Sequence, residues 1–160
     1  MRVRGQWPNP VVIRRGWAAA HARPWNTSRP DAHLRLARGS AGFLREATRT
    51  VIDFGVETVI SPPLMAGAQA PWRAAGFAPY TTLLLLRKQV QAEEDVAMTV
   101  RDLSDRDWPR VVAIDAAAFG EMWKAELPAL LEALRSAPSS ALIGIDRPGT
   151  DSPAGYAIVA

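Results

Sequence analysis

The sequence predicts an α/β protein, an α+β sandwich in which a mixed sheet packs against helices. Three observations carry this. Apolar residues recur at helical spacing over 41–54, with polar residues elsewhere. Short apolar runs of strand length stand at 33–37, 58–60, 80–87, 141–145 and 155–159. Glycines and prolines fall between these segments, where helices stop and chains turn. At 48% hydrophobic and 22% charged over 160 residues, the chain has the balance of a folded protein.

The elements follow in order. Residues 1–32 hold Pro8, Pro10, Pro24 and Pro30 and read as an irregular basic arm. Its one strand-like run is Val11–Ile13. His33–Ala37 alternates as a strand does. Ser40 is placed to cap a helix whose face is Leu44, Ala47, Val51 and Phe54 and whose stop is Gly55. A short strand at Thr58–Ile60 precedes a second helix over Ala66–Ala75, which ends at Gly76. The run 80–87 (YTTLLLLR) predicts a strand covered on both faces. Residues 89–97 are polar and acidic and read as a linker.

Beyond the linker, Met98–Leu103 reads as a strand. Ser104 or Asp105 caps a helix ending near Phe119. A further helix carries Trp123, Leu127, Leu130, Leu131 and Leu134 on one face, with Pro128 at its true start or at a kink. Residues 141–145 and 155–159 flank a turn-rich connection and predict an antiparallel hairpin.

Composition excludes several chemistries. With no cysteine there is no disulfide scaffold, thiol nucleophile, cysteine-ligated zinc or iron–sulfur cluster. His21 and His33 lack metal-ligand spacing. No apolar run reaches the length of a membrane span. Arg2 and Arg4 are followed by Gln6–Pro10 where a signal peptide needs apolar residues, so a cytoplasmic location is expected and the sequon at Asn26–Ser28 is read as chance. The 28 alanines, 17 arginines and 2 lysines have the bias of a GC-rich bacterial genome. Residues 1–40 carry eight arginines against Asp31 alone, so the positive field lies at the N-terminus. Trp7, Trp17 and Trp25 interleave with these arginines. With no recognisable nucleic-acid motif, they are expected to pack on the following domain, and no nucleic acid partner is expected.

Two segments carry a family resemblance. Residues 99–108 (TVRDLSDRDW) followed by 114–120 (IDAAAFG) resemble the opening strand and first helix of GNAT-type N-acetyltransferases. Residues 68–77 (AQAPWRAAGF) are similar to the late helix of that superfamily, which commonly ends in Tyr-x-x-x-Gly-Phe. The resemblance implies an incomplete GNAT-like acyltransferase fold in tandem. Residues 33–88 would be a degenerate unit of late elements, and 98–160 the N-terminal part of a second unit. It further implies acetyl-CoA as co-substrate and an amine as acceptor.

In that superfamily a Gln/Arg-x-x-Gly-x-Gly/Ala loop after the fourth strand leads into a helix and holds the pyrophosphate on backbone N–H groups. Arg38–Gly42 stands at the corresponding place with different spacing and is read as an ordinary strand-to-helix turn. Trp72 stands where many members have a tyrosine acid, and Met65 where they have an asparagine; both are read as packing residues. The segment between the first two helices of the second unit borders the acceptor in the family, which assigns Phe119, Glu121 and Trp123 to substrate binding, with Glu121 able to bind or deprotonate an amine. No catalytic or cofactor-binding residue is assigned, and the chain itself is expected to be inactive. The alternative is a non-catalytic GNAT-like binding or scaffold module. The unpaired edge of the final strand, 155–160, is expected to favour self-association.

Overall fold

The computed structural model describes residues 1–26, 30–84, 86–87 and 100–159. The chain divides into two units, Met1–Arg87 and Lys88–Ala160. The linker expected at 89–97 lies outside the described residues.

In the first unit, β1 (Arg2–Arg4), β2 (Val11–Arg15), β3 (Ala18–Pro24) and β4 (Asp31–Arg38) form an antiparallel meander. β5 (Thr58–Ile60) then joins parallel to β4, so the sheet is mixed, in the order β1-β2-β3-β4-β5. The helix between β4 and β5, α1 (Ala41–Ile52), is the crossover that a parallel neighbour requires. Residues 1–32 are thus not an irregular arm. Val11–Ile13 is the start of β2, and strands β1 and β3 lie on either side of it.

One face of this sheet is the core. Val11, Ile13, Ala20, Ala22, Ala32 and Leu34 are buried there against Phe43, Leu44, Ala47 and Val51 of α1. The alanines of β3 keep that strand low enough for Phe43 and Leu44 to settle over it. Ser40 caps α1 as its sequence requires, accepting a hydrogen bond from the Phe43 N–H at 3.3 Å. Phe54, expected on the helical face, lies just past the helix, half-buried, and stacks on Trp7 with ring centroids 5.6 Å apart.

Two elements of this unit differ from expectation. The helix expected over 66–75 is a 3-10 turn at Ala66–Ala68 followed by a short α2 (Ala70–Ala74), with Pro71 in its first turn. Proline has no N–H to continue the preceding turn, so the two pieces stay separate. The covered strand expected at 80–87 is absent among its described residues. Tyr80–Leu84 is irregular, and Leu84 and Leu86 are 81% and 84% exposed. A strand needs a hydrogen-bonded neighbour, and none of the sheet pairings includes this run.

The second unit has an antiparallel sheet in the order β6-β7-β8, formed by β6 (Val100–Asp102), β7 (Ala141–Asp146) and β8 (Pro153–Val159). Between β6 and β7 lie α3 (Trp108–Ala118) and α4 (Leu127–Arg135). Trp108, Val111, Leu130 and Leu142 form its core. A 3-10 turn, Asp105–Asp107, leads into α3, and Ser104 and Asp107 make the reciprocal bonds of a capping box. Leu127 opens α4 with Pro128 in its first turn, while Trp123, expected on the face of this helix, lies before it. Among the described residues no helix is long and apolar enough to cross a membrane.

Candidate functional site

The connection from α3 to α4 holds all three residues assigned to substrate binding. It is built on Asp115, which sits one turn before the end of α3 and is 3% exposed. The Asp115 carboxylate is satisfied from two directions. Oδ1 accepts the backbone N–H of Ala125, and Oδ2 accepts the hydroxyl of Tyr156 on β8. The first bond ties the far end of the connection back to α3; the second fixes α3 to the sheet. Within the connection, the N–H groups of Trp123 and Lys124 both donate to the Gly120 carbonyl, at 2.8 and 3.0 Å.

This frame sets out the assigned residues in different ways. Phe119 and Trp123 are 51% and 41% exposed and offer aromatic surface to solvent. Glu121 is solvated and forms an ion pair with Lys124, its Oε2 2.7 Å from Nζ. An amine seeking Glu121 therefore competes with a neighbouring ammonium. A groove of about 490 Å³ in this unit lies elsewhere: Leu103, Trp108, Leu134 and Leu142 line it with Ser104 and Arg135, and none of the three assigned residues does.

No local motif of the sequence singles out Asp115 or Tyr156. Asp115 follows Val111 by four residues and so falls on the apolar face of α3, where a carboxylate needs a partner. Burial and the adjacent Asp115 carboxylate push the Tyr156 hydroxyl well above the usual tyrosine range. Held in this way, it is a hydrogen-bond donor to Asp115 and not an acid. A second polar cluster is structural too. Arg101 joins Asp146, at 2.6 Å, to Asp107, at 3.1 Å, linking β6, β7 and the cap of α3. Arg101 and the Ser104 N–H hold the Asp107 carboxyl well below the usual carboxylate range.

In the first unit the turn Arg38–Gly42 runs from the end of β4 into α1. Gly39 has φ +148°, and a Cβ there would lie 2.6 Å from the Phe43 ring. The Arg38 Nε donates to the Trp17 carbonyl, which commits one edge of the guanidinium to the β2–β3 hairpin. Trp72 is a core residue, 4% exposed, packed edge-on against Phe77. Met65 is 79% exposed, so it is not the packing residue expected from the sequence; its backbone carbonyl starts the 3-10 turn. Among the described residues no group of three or more acidic or histidine side chains is placed to hold a metal ion.

No protein-family model, no curated protein and no solved structure matches the chain.

Proposed function

We propose that the chain is a GNAT-type acyltransferase-superfamily protein, cytoplasmic and bacterial, concerned with acetyl-CoA-dependent transfer to an amine. The observation that carries this reading is the β4–turn–α1–β5 unit, with β4 and β5 parallel. That arrangement puts the N-terminus of a twelve-residue helix at the end of a strand, where a pyrophosphate would meet backbone N–H groups. The order β6–α3–α4–β7–β8 in the second unit supports it, being the strand–helix–helix–strand–strand order on which the sequence resemblance rests. Phe119 and Trp123 would then contact the acceptor.

The residues present make a poor cofactor site. Arg38 is partly engaged by Trp17, and the glycine spacing differs from that of the family loop. Direct attack of an amine on a thioester also needs an acid for the leaving thiolate. At the position of the family tyrosine stands Trp72, buried in the core. This favours a second reading, in which the chain is a non-catalytic binding or scaffold module of the same superfamily. The test is a nitrogen-15 NMR titration with CoA. Weak, saturable shifts centred on Gly39–Gly42 are expected, with no acetylation of a panel of amines. Absence of any shift at 10-fold molar excess and millimolar CoA would overturn the superfamily reading. Turnover of acetyl-CoA would overturn the non-catalytic one.

A further inference from the structure

The meander places the N-terminal arginines in a pattern that the sequence conceals. Residues directly opposite on neighbouring strands share a face, and along each strand alternate residues share one. Val11, Ile13, Ala20, Ala22, Ala32 and Leu34 point to the core, so their neighbours point the other way. The register sets Arg4, Val12, His21 and Arg35 in one row across β1–β4. Arg2 and Arg14 stand opposite each other in the next row, and Arg23 and His33 in another. Helices α1 and α2 bury their apolar residues in the core on the other side. The far face is therefore a basic plane of Arg2, Arg4, Arg14, Arg23 and Arg35, all exposed.

Its acidic complement is small. The one carboxylate whose position in β4 puts it on this face is Asp31, which is 4% exposed. Among the described residues, Arg2, Arg4, Arg14 and Arg35 take part in no ion pair. By contrast Arg15, on the helix side, reaches Glu46 of α1. Rings accompany the cations. Trp25 lies against His33 with centroids 5.8 Å apart, and His21 stands in the row between Val12 and Arg35.

We propose that this arginine-bearing face of the first sheet binds a single-stranded nucleic acid, with arginines on the phosphates and the Trp25, His33 and His21 rings against bases. Guanidinium forks suit phosphate oxygens better than ammonium groups do. Arg2 and Arg4 lie about 7 Å apart along β1 and Arg2 and Arg14 about 5 Å apart across to β2, while Arg23 and Arg35 continue the positive charge on β3 and β4. A flat face with interspersed rings accepts splayed bases irrespective of sequence. The absence of a nucleic-acid motif in residues 1–32 does not weigh against this, because the surface is assembled by strand register and not by adjacency in sequence.

The test is fluorescence anisotropy with a labelled mixed-sequence 20-nucleotide RNA and its duplex form, over a range of salt. Single-strand binding is expected, with log Kobs falling against log salt at about −0.7 per phosphate contact, so a slope near −3 for four contacts. The triple variant R4Q/R14Q/R35Q should reduce this slope by about 2 at unchanged circular dichroism. A control of equal charge change on exposed arginines elsewhere, R49Q/R106Q/R147Q, should leave the slope within about 0.5 of wild type, since no phosphate contact is removed. Tighter binding of the duplex, equal effects of the two triple variants, or binding only to phosphatidylserine vesicles would each overturn the proposal.

Discussion

The hydroxyl of Tyr156 on β8 donates to the buried carboxylate of Asp115 on α3, whose other oxygen accepts the Ala125 N–H. One side chain thus joins a strand, a helix and the connection that displays Phe119, Glu121 and Trp123. Replacing Asp115 by alanine strands two donors, and each lost partner costs about 1–3 kcal/mol. D115A should therefore lose about 2–6 kcal/mol in urea unfolding. Hydrogen exchange at 119–126 should accelerate more than in the rest of the second unit. Uniform acceleration would mean that Asp115 stabilises the fold without specifically holding the connection.

The same pair predicts alkaline sensitivity. Folding raises the Tyr156 hydroxyl above its ordinary value, through burial first and the Asp115 bond second. As pH rises past about 10, the unfolded chain loses this proton while the native chain keeps it. Stability from this group is thus full below about pH 10 and declines above it. Y156F should flatten the alkaline limb of a stability–pH curve. An unchanged limb would place the sensitivity on another group.

At the acid end His33 sets the sign. Burial, then Arg23 and Arg35, lower its imidazole below the ordinary histidine value. As pH falls past about 6.5 the unfolded chain takes up the proton first, so stability declines from there downward. H33Q should remove this component from denaturant midpoints between about pH 5 and 7. If the variant and wild type keep parallel midpoints over that range, the native imidazole is not depressed.

The core of the first unit separates two residues that the helical pattern treats alike. Leu44 is fully buried beneath α1, while Phe54 lies past the helix end, half-buried on Trp7. L44A should cost about 2–5 kcal/mol and F54A clearly less, because part of the Phe54 surface already meets water. Equal losses in thermal or urea unfolding would contradict this ordering.

Sequence periodicity reveals α1, β5 and the β7–β8 hairpin because each has a strong local pattern and a clear stop. It conceals β1 and β3 for a physical reason. β3 begins Ala18-Ala19-Ala20, residues of weak strand preference, and it becomes a strand through its neighbours β2 and β4. Leu83, Leu84 and Leu86 fail in the opposite way. Their pattern is that of a buried strand, yet burial needs a partner that apolarity cannot supply. In the candidate site, Phe119, Glu121 and Trp123 lie in the connection between α3 and α4, whereas the helical spacing places Trp123 on the face of α4. The Asp115–Tyr156 bond that supports the connection spans 41 positions, beyond the reach of any local pattern.

Residues 1–24 should be indispensable to the first unit, against the sequence expectation of an irregular arm. β2 and β3 contribute Val11, Ile13, Ala18, Ala20 and Ala22 to the core beneath α1. Burying Val11 and Ile13 alone is worth about 1.5–3 kcal/mol each, against a whole-domain stability of about 5–15 kcal/mol. Deletion would also leave β4 paired only with the three-residue β5, and a two-stranded sheet is marginal in water. The undersides of Phe43 and Leu44 would face solvent. Deleting residues 1–24 should therefore collapse the dispersion of amide signals from 30–84 in a nitrogen-15 correlation spectrum, with aggregation at micromolar concentration. Signals from 100–159 serve as the internal reference, because that unit has its own core. A truncated chain that kept dispersed first-unit signals and a cooperative unfolding transition would return β1–β3 to the status of an arm.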